Sequence, residues 1–298
     1  MNFVQVVVLA IVQGLAELLP VSSSAHVIVA EKLMGLDPST PEATFLLVML
    51  HTGTMFAVVL YFWRQWWAIL SGRRQPDGGA GMMSRSVFIK TVVIATGFTG
   101  VIGLGLKVLI ERVVMAGNPH AEVEQLFSNL PLMAGSLLAA GVLIITSGKL
   151  AGRMAGDQPL SDKRAALIGI VQGLCLPFRG FSRSGATISV GMLAGVSRQT
   201  AESFSFALAV VLTPAAILLE AHRLVKSLAV TGATASASAS LLSFHTFLPG
   251  LAGMAFSFLA GLVALKWLSA WLENGRWALF GYYCLVAAVA VVGVSLVA

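Results

Sequence analysis

Apolar residues in this chain run on in blocks instead of alternating with polar ones. Six uninterrupted blocks, each about 18 residues or longer, occupy residues 43–63, 86–106, 130–148, 201–219, 247–267 and 277–297. Two further apolar regions, residues 2–34 and 165–196, are interrupted midway by proline and a serine-rich turn. Each half of these is too short to cross a hydrocarbon core of about 30 Å at about 1.5 Å per residue. Broken helices persist at membrane depth only where protein or a water-filled cavity shields their free backbone groups. The pattern therefore predicts an all-α polytopic membrane protein: six transmembrane helices plus two re-entrant helical hairpins.

The two broken regions are related. Ile-Val-Gln-Gly-Leu stands at residues 11–15 and again at 170–174, each time followed by a proline and a serine-rich turn. Farther on, residues 45–54 and 206–215 align loosely, with Thr52 opposite Thr213. Residues 1–298 then form a single membrane domain of two repeats, 1–150 and 151–298, each with one hairpin and three spans. An odd number of spans turns the second repeat upside down. In such an inverted repeat the turns of the broken helices meet near the midplane, which would set the two polar motifs face to face.

Composition agrees: 57% of residues are hydrophobic and 11% charged, with a mean hydropathy of +0.88. That is too little charge to cover a water-soluble surface, where about 25% is usual. The net charge of +6 comes from basic residues clustered between apolar spans, so it reads as topogenic charge and not as a nucleic-acid footprint. Residues 64–90 carry Arg64, Arg73, Arg74, Arg85 and Lys90, and residues 149–164 carry Lys149, Arg153, Lys163 and Arg164. Both loops are assigned to the cytoplasm, as is the link between Lys266 and Arg276. Residues 31–42 and 107–128 are poorer in basic residues and face outward; Arg223 and Lys226 argue weakly against this orientation. Residues 230–240, rich in alanine, serine and threonine, read as flexible. No basic segment precedes the first apolar run and Glu17 interrupts it, so the N-terminus reads as part of the fold. Cys175 and Cys284 lie in apolar sequence without metal-ligand spacing and read as structural.

The first motif runs from Gln13 through Glu17, Pro20, Ser22, Ser23 and Ser24 to His26. Gln13 and Glu17 are four apart on one helix face and meet the same ligand. A carboxylate at membrane depth costs several kcal/mol and by default marks function. With an amide beside it, it suits a hard divalent cation, Mg²⁺ or Ca²⁺. The alternative is a glutamate that only ties the hairpin turn. The serines open a helix, where one serves as a cap and the free N–H groups suit a phosphate. His26, one turn past Ser22 and Ser23, is placed as acid or base for a serine hydroxyl. In the second motif Ser182 and Ser184 flank Arg183 at a helix start, with Gly185 and Thr187 following. A guanidinium among hydroxyls is a phosphate clamp; alternatively Arg183 pairs with Glu17 across the repeat. Arg179 ranks lower, because it can snorkel to the interface.

On these residues the chain resembles the undecaprenyl-diphosphate phosphatase, or bacitracin-resistance, family along essentially its whole length. The resemblance rests on Gln13-x-x-x-Glu17 running into Pro20-Val21-Ser22-Ser23-Ser24-Ala25-His26, and on Gly180-Phe181-Ser182-Arg183-Ser184-Gly185-Ala186-Thr187. It departs from the family pattern at three places. Gln13 replaces a common glutamate, Ala25 a common glycine, and Pro177-Phe178-Arg179-Gly180 a shorter Pro-Gly turn.

The resemblance implies a hydrolase of the bacterial inner membrane that converts undecaprenyl diphosphate to undecaprenyl phosphate and inorganic phosphate. That reaction recycles the lipid carrier for peptidoglycan synthesis and confers bacitracin resistance. It also implies roles: Ser23 as nucleophile, His26 as its acid–base partner, Glu17 and Gln13 as holders of a divalent cation. Arg183 would bind the diphosphate, helped by Ser22, Ser24, Ser182, Ser184, Gly185 and Thr187. The partners are a polyprenyl diphosphate whose tail stays in lipid, and the membrane itself, with the site open to the periplasm. Gly97, Gly100, Gly103 and Gly105 permit close helix packing within the chain or in a homodimer. The rival reading is an inverted-repeat transporter or flippase of polyprenyl phosphate lipid.

Overall fold

A computed structural model describes residues 1–37, 40–72, 83–114, 126, 129–151, 158–230 and 244–297. The described residues form ten α-helices and no strand. In chain order they are α1 (Phe3–Leu18), α2 (Ser23–Leu33), α3 (Pro41–Ser71), α4 (Arg85–Leu109), α5 (Leu130–Ala151), α6 (Asp162–Cys175), α7 (Arg183–Leu193), α8 (Arg198–Val230), α9 (Phe244–Glu273) and α10 (Trp277–Val297). The segment 230–240 that reads as flexible lies, after Val230, outside the described residues, and so do Arg73, Arg74 and Arg153.

Six helices contain membrane-length apolar stretches: Glu42–Ser71, Arg85–Val113, Leu130–Leu150, Arg198–Leu219, Phe247–Glu273 and Trp277–Leu296. All six expected spans are there, and several are longer than the apolar blocks. α3 runs past residue 63 because Trp63, Trp66 and Trp67 end its apolar block without breaking the helix. Aromatic and basic residues of this kind suit the headgroup region. The helix stops at Gly72, whose φ of 67° reverses the chain. α8 continues beyond residue 219 to Val230, so Arg223 and Lys226 stand on a helix and not in a loop. α4 passes into a π-helical turn, Ile110–Val114.

The four remaining helices are short. α1 has 16 residues, α6 has 14, and α2 and α7 have 11 each. At about 1.5 Å per residue none reaches across a core of about 30 Å. α1 begins at a reciprocal cap between Asn2 and Gln5, with both side chain–backbone bonds at 2.8 Å. It ends where Leu19, ahead of Pro20, turns extended.

Small residues bring the helices close. α1 lies on α9 through Gly14, where an added Cβ would stand 2.6 Å from both Ala260 Cβ and the Ser257 carbonyl oxygen. α6 lies on α4 through Gly173, where a Cβ would come within 2.8 Å of Ile102 Cβ. α5 and α10 meet at Gly141 and Gly281, each facing the other's carbonyl oxygen. In lipid, where apolar surface gains nothing by helix association, such close approach supplies the packing energy. Polar side chains join the same seams. Ser257 donates to the Leu50 carbonyl at 3.0 Å, and Thr99 donates to the Gly169 carbonyl at 3.0 Å. The outward faces of α4 and α10 carry exposed Val93, Val101, Leu104, Val286 and Val289, as a lipid solvent requires.

Candidate active site

The turn after α1 and the turn before α7 touch. Ser184 Oγ donates to the Leu19 carbonyl at 3.5 Å, and Cys284 Sγ of α10 donates to the Pro20 carbonyl at 3.3 Å. Gly185 leaves room for Pro20: a Cβ there would lie 3.2 Å from Pro20 Cβ and 2.8 Å from Ile144 Cδ1. Gly180, at φ 101°, turns the second connection past the Met133 carbonyl oxygen, where any side chain would collide. The two polar motifs therefore share one site, although more than 150 residues of sequence separate them.

Glu17, near the C-terminus of α1, is the hub. Ser23 Oγ donates to Glu17 Oε2 at 2.5 Å, and Gln13 Nε2 donates to the same oxygen at 3.3 Å. Arg183 Nη2 donates to Glu17 Oε1 at 3.3 Å. Both charged side chains are about four-fifths shielded, at 19% and 21% exposure. Among the described residues Arg183 Nη1 is buried with no hydrogen-bond partner. A guanidinium with one nitrogen on a carboxylate and another unsatisfied is poised for an anionic oxygen.

The flanking serines repeat one arrangement in both motifs. Ser22 Oγ and Ser24 Oγ lie 3.3 Å apart around Ser23, and Ser182 Oγ and Ser184 Oγ lie 3.4 Å apart around Arg183. Ser182 also caps α7, accepting from the Gly185 N–H at 3.2 Å. Thr187 is turned away from the motif's face. Its hydroxyl donates to the Arg183 carbonyl at 2.8 Å and shares a 2.6 Å bond with Ser205 of α8.

His26 does not meet Ser23. Its Nδ1 lies 2.7 Å from the Ser22 carbonyl, and its Nε2 lies 2.7 Å from the Tyr283 hydroxyl on α10. The serine hydroxyl donates to Glu17 instead, so the carboxylate and not the imidazole is the acceptor of the Ser23 proton in this structure. The spacing on α2 places His26 one turn away but says nothing about which way its ring swings.

Two residues of the site go unremarked in the sequence pattern. His51 of α3 points Nε2 at Glu17 Oε2 from 3.9 Å, with Nδ1 donating to the Leu47 carbonyl at 2.9 Å. A histidine inside an apolar span carries the same functional signal as Glu17. Tyr283 offers no such signal, since tyrosines are common in spans and its partner is 257 residues distant.

Among the described residues no three histidines, cysteines, aspartates or glutamates cluster as a metal cage. Beside Arg183 stand one carboxylate, Glu17, and one amide, Gln13, with the His51 ring 3.9 Å from the carboxylate. Glu17 and Gln13 are oxygen donors of the kind a hard divalent cation takes, too few to complete its shell by themselves.

Comparison with known proteins shows the family. Residues 6–290 match the family described as bacitracin resistance protein BacA. The chain belongs to that family. It is 58% identical to undecaprenyl-diphosphatase 2 of Acinetobacter baylyi, covering 96% of this chain and 95% of the relative. Identity is 33% to the undecaprenyl-diphosphatase of Rhodopirellula baltica, across 99% of both chains. It is 30% to that of Korarchaeum cryptofilum, across 98% of both. Each of these relatives carries the name of a phosphatase, which gives no support to the transporter reading.

Proposed function

We propose that the chain is an undecaprenyl-diphosphatase of the bacterial inner membrane, hydrolysing the lipid diphosphate to undecaprenyl phosphate and inorganic phosphate. It thereby returns the carrier to peptidoglycan synthesis and confers bacitracin resistance. One observation carries the reading: a serine hydroxyl bonded to a shielded carboxylate that also holds an arginine whose second nitrogen is buried and, among the described residues, unpartnered. Ser23 Oγ attacks the terminal phosphorus as its proton passes to Glu17 Oε2. The bond from phosphorus to the bridging oxygen breaks, and undecaprenyl phosphate leaves. Water then attacks the phosphoserine and releases inorganic phosphate. Arg183 and the N–H groups opening α2 and α7 oppose the charge that develops on the phosphoryl oxygens. Ser22, Ser24, Ser182 and Ser184 line the same approach, Gly185 lets the two turns pack together, and Thr187 braces the turn of α7 that carries Arg183. A divalent cation, Mg²⁺ or Ca²⁺, held by Glu17 and Gln13, would supply further neutralisation of the diphosphate.

We read α1–α2 and α6–α7 as re-entrant hairpins of an inverted repeat. In support, α1 packs on α9 as α6 packs on α4, and α5 packs on its counterpart α10. Gln13-Gly14 and Gln172-Gly173 hold matching places in the first two seams. With the basic loops in the cytoplasm, the first hairpin enters from the periplasm and the site opens there. Among the described residues nothing stands within 4 Å of a Cβ added at Gly97, Gly100 or Gly105 of α4, a face that would admit a second copy. Crosslinking through cysteine at position 100 tests for that homodimer.

Phosphate release by purified protein in detergent, where transport is impossible, tests the activity. Ser23→Ala is expected to abolish release and the phosphoserine trapped by fast acid quench. Release at the wild-type rate without Ser23 would end the proposal. Cysteine at position 24 is expected to react with impermeant reagent from the periplasmic side; reaction from the cytoplasm alone reverses the orientation.

A further inference from the structure

Ser22 has an unusual backbone. Its φ of 69° and ψ of 96° make it the one non-glycine residue with positive φ among the described residues. It precedes α2 as the N-cap but makes no side-chain cap bond. A β-carbon in this region is strained and persists only where neighbours hold it. The neighbours here are specific. The Ser22 carbonyl accepts from His26 Nδ1 at 2.7 Å, and the Pro20 carbonyl accepts from Cys284 Sγ at 3.3 Å. The His26 ring is itself fixed by the residue preceding Cys284. The Tyr283 hydroxyl lies 2.7 Å from Nε2, with the rings stacked at 5.6 Å and 13°.

The proton assignment follows. A carbonyl only accepts, so His26 Nδ1 carries hydrogen, and in the neutral ring Nε2 is then an acceptor for the phenol. The chain of donors runs from Tyr283 O–H to His26 Nε2, and from His26 Nδ1–H to the Ser22 carbonyl. Ser23 follows immediately, and its hydroxyl must reach Glu17.

We propose that Tyr283 is a positioning residue for the nucleophile: through the tautomer of His26 it clamps the strained Ser22 backbone, and so aims Ser23 at Glu17. The proposal rests on the reading of Ser23 as the attacked serine. It gives His26 a role other than exchanging a proton with Ser23. It also makes α10, the last helix of the second repeat, part of the first repeat's catalytic turn.

The test compares wild type, Tyr283→Phe and the control Tyr282→Phe, whose ring lies beside Lys149 and outside the site. Tyr283→Phe keeps the stacking ring and removes only the hydroxyl. Its kcat is expected to fall by about 10- to 100-fold, since a small misplacement of a reacting group costs about that much. KM should stay within about twofold, with Tyr282→Phe unaffected. Nitrogen NMR of histidine-labelled protein, assigned with His26→Gln, reads the ring directly. Wild type should show a single neutral Nδ1–H form, and Tyr283→Phe a mixture. An imidazolium or an Nε2–H ring in wild type overturns the proposal, and that reading needs no variant to fold. An unchanged kcat in Tyr283→Phe, or a loss confined to KM, overturns it too. The NMR result does not depend on catalysis. Activity that survives Ser23→Ala would defeat the nucleophile reading separately.

Discussion

Replacing Glu17 with glutamine keeps the shape of the side chain and removes its charge, and two consequences separate. The first is stability. At 3.3 Å the Arg183 guanidinium and the Glu17 carboxylate attract by about 5 kcal/mol at an effective dielectric constant of about 20. Both are mostly shielded, so removing one partner leaves the other buried and unpaired, at an expected cost of about 3–5 kcal/mol. Arg183→Gln leaves the complementary orphan and costs a similar amount. The double variant has no orphan, and its loss should fall short of the sum of the single losses by about 1–3 kcal/mol. The second consequence is chemical. Without a base at Ser23 the rate should drop by about 10²–10⁴-fold in Glu17→Gln, and it should stay low in the double variant. Reversible unfolding in mixed micelles measures the first effect and phosphate release the second. Strictly additive stabilities would show that the pair is not coupled. A Glu17→Gln enzyme within tenfold of wild type would refute the assignment of Glu17 as base.

Other outcomes follow from the packing and the donor set. Gly14→Ala should cost about 1–3 kcal/mol by forcing α1 off α9, while Gly135→Ala, with nothing among the described residues within 4 Å, should stay within about 0.5 kcal/mol of wild type; thermal unfolding in detergent compares them. Trp277 Nε1 donates to Ser147 and Ser189 hydroxyls at 3.1 Å each, so Trp277→Phe should lose about 1–3 kcal/mol with little change in kcat, read by the same melts alongside the rate assay. Chelation should stop phosphate release, and added Mg²⁺ or Ca²⁺ should restore it; undiminished release in chelator would remove the cation from the mechanism.

Much was legible in the order of residues alone. Uninterrupted apolar blocks identify six spans, because lipid leaves a helix no way to satisfy its backbone except internally. Pro20 and Pro177, each closing a short apolar helix, mark the breaks for the same reason. The hub of the site was legible too: a carboxylate in hydrocarbon is too costly to carry without a use. Side-chain direction was not. His26 lies at the right spacing for Ser23, yet its ring turns to the Ser22 carbonyl and Tyr283. Spacing along a helix selects a face, whereas a rotamer is selected by whatever neighbour the packing brings.

The cluster of Ser23, Glu17 and Arg183 joins both ends of that account. Their presence, their motifs and their family likeness are properties of the sequence. Their mutual bonding exists only in the folded chain, because Arg183 reaches Glu17 across 166 positions once Gly185 lets the second turn settle against Pro20. His51 and Tyr283 complete the site by the same means, delivered by α3 and α10. Local pattern sets which segments enter the membrane. Which side chains meet there is decided by helix contacts between residues far apart in the chain, and no local pattern encodes those.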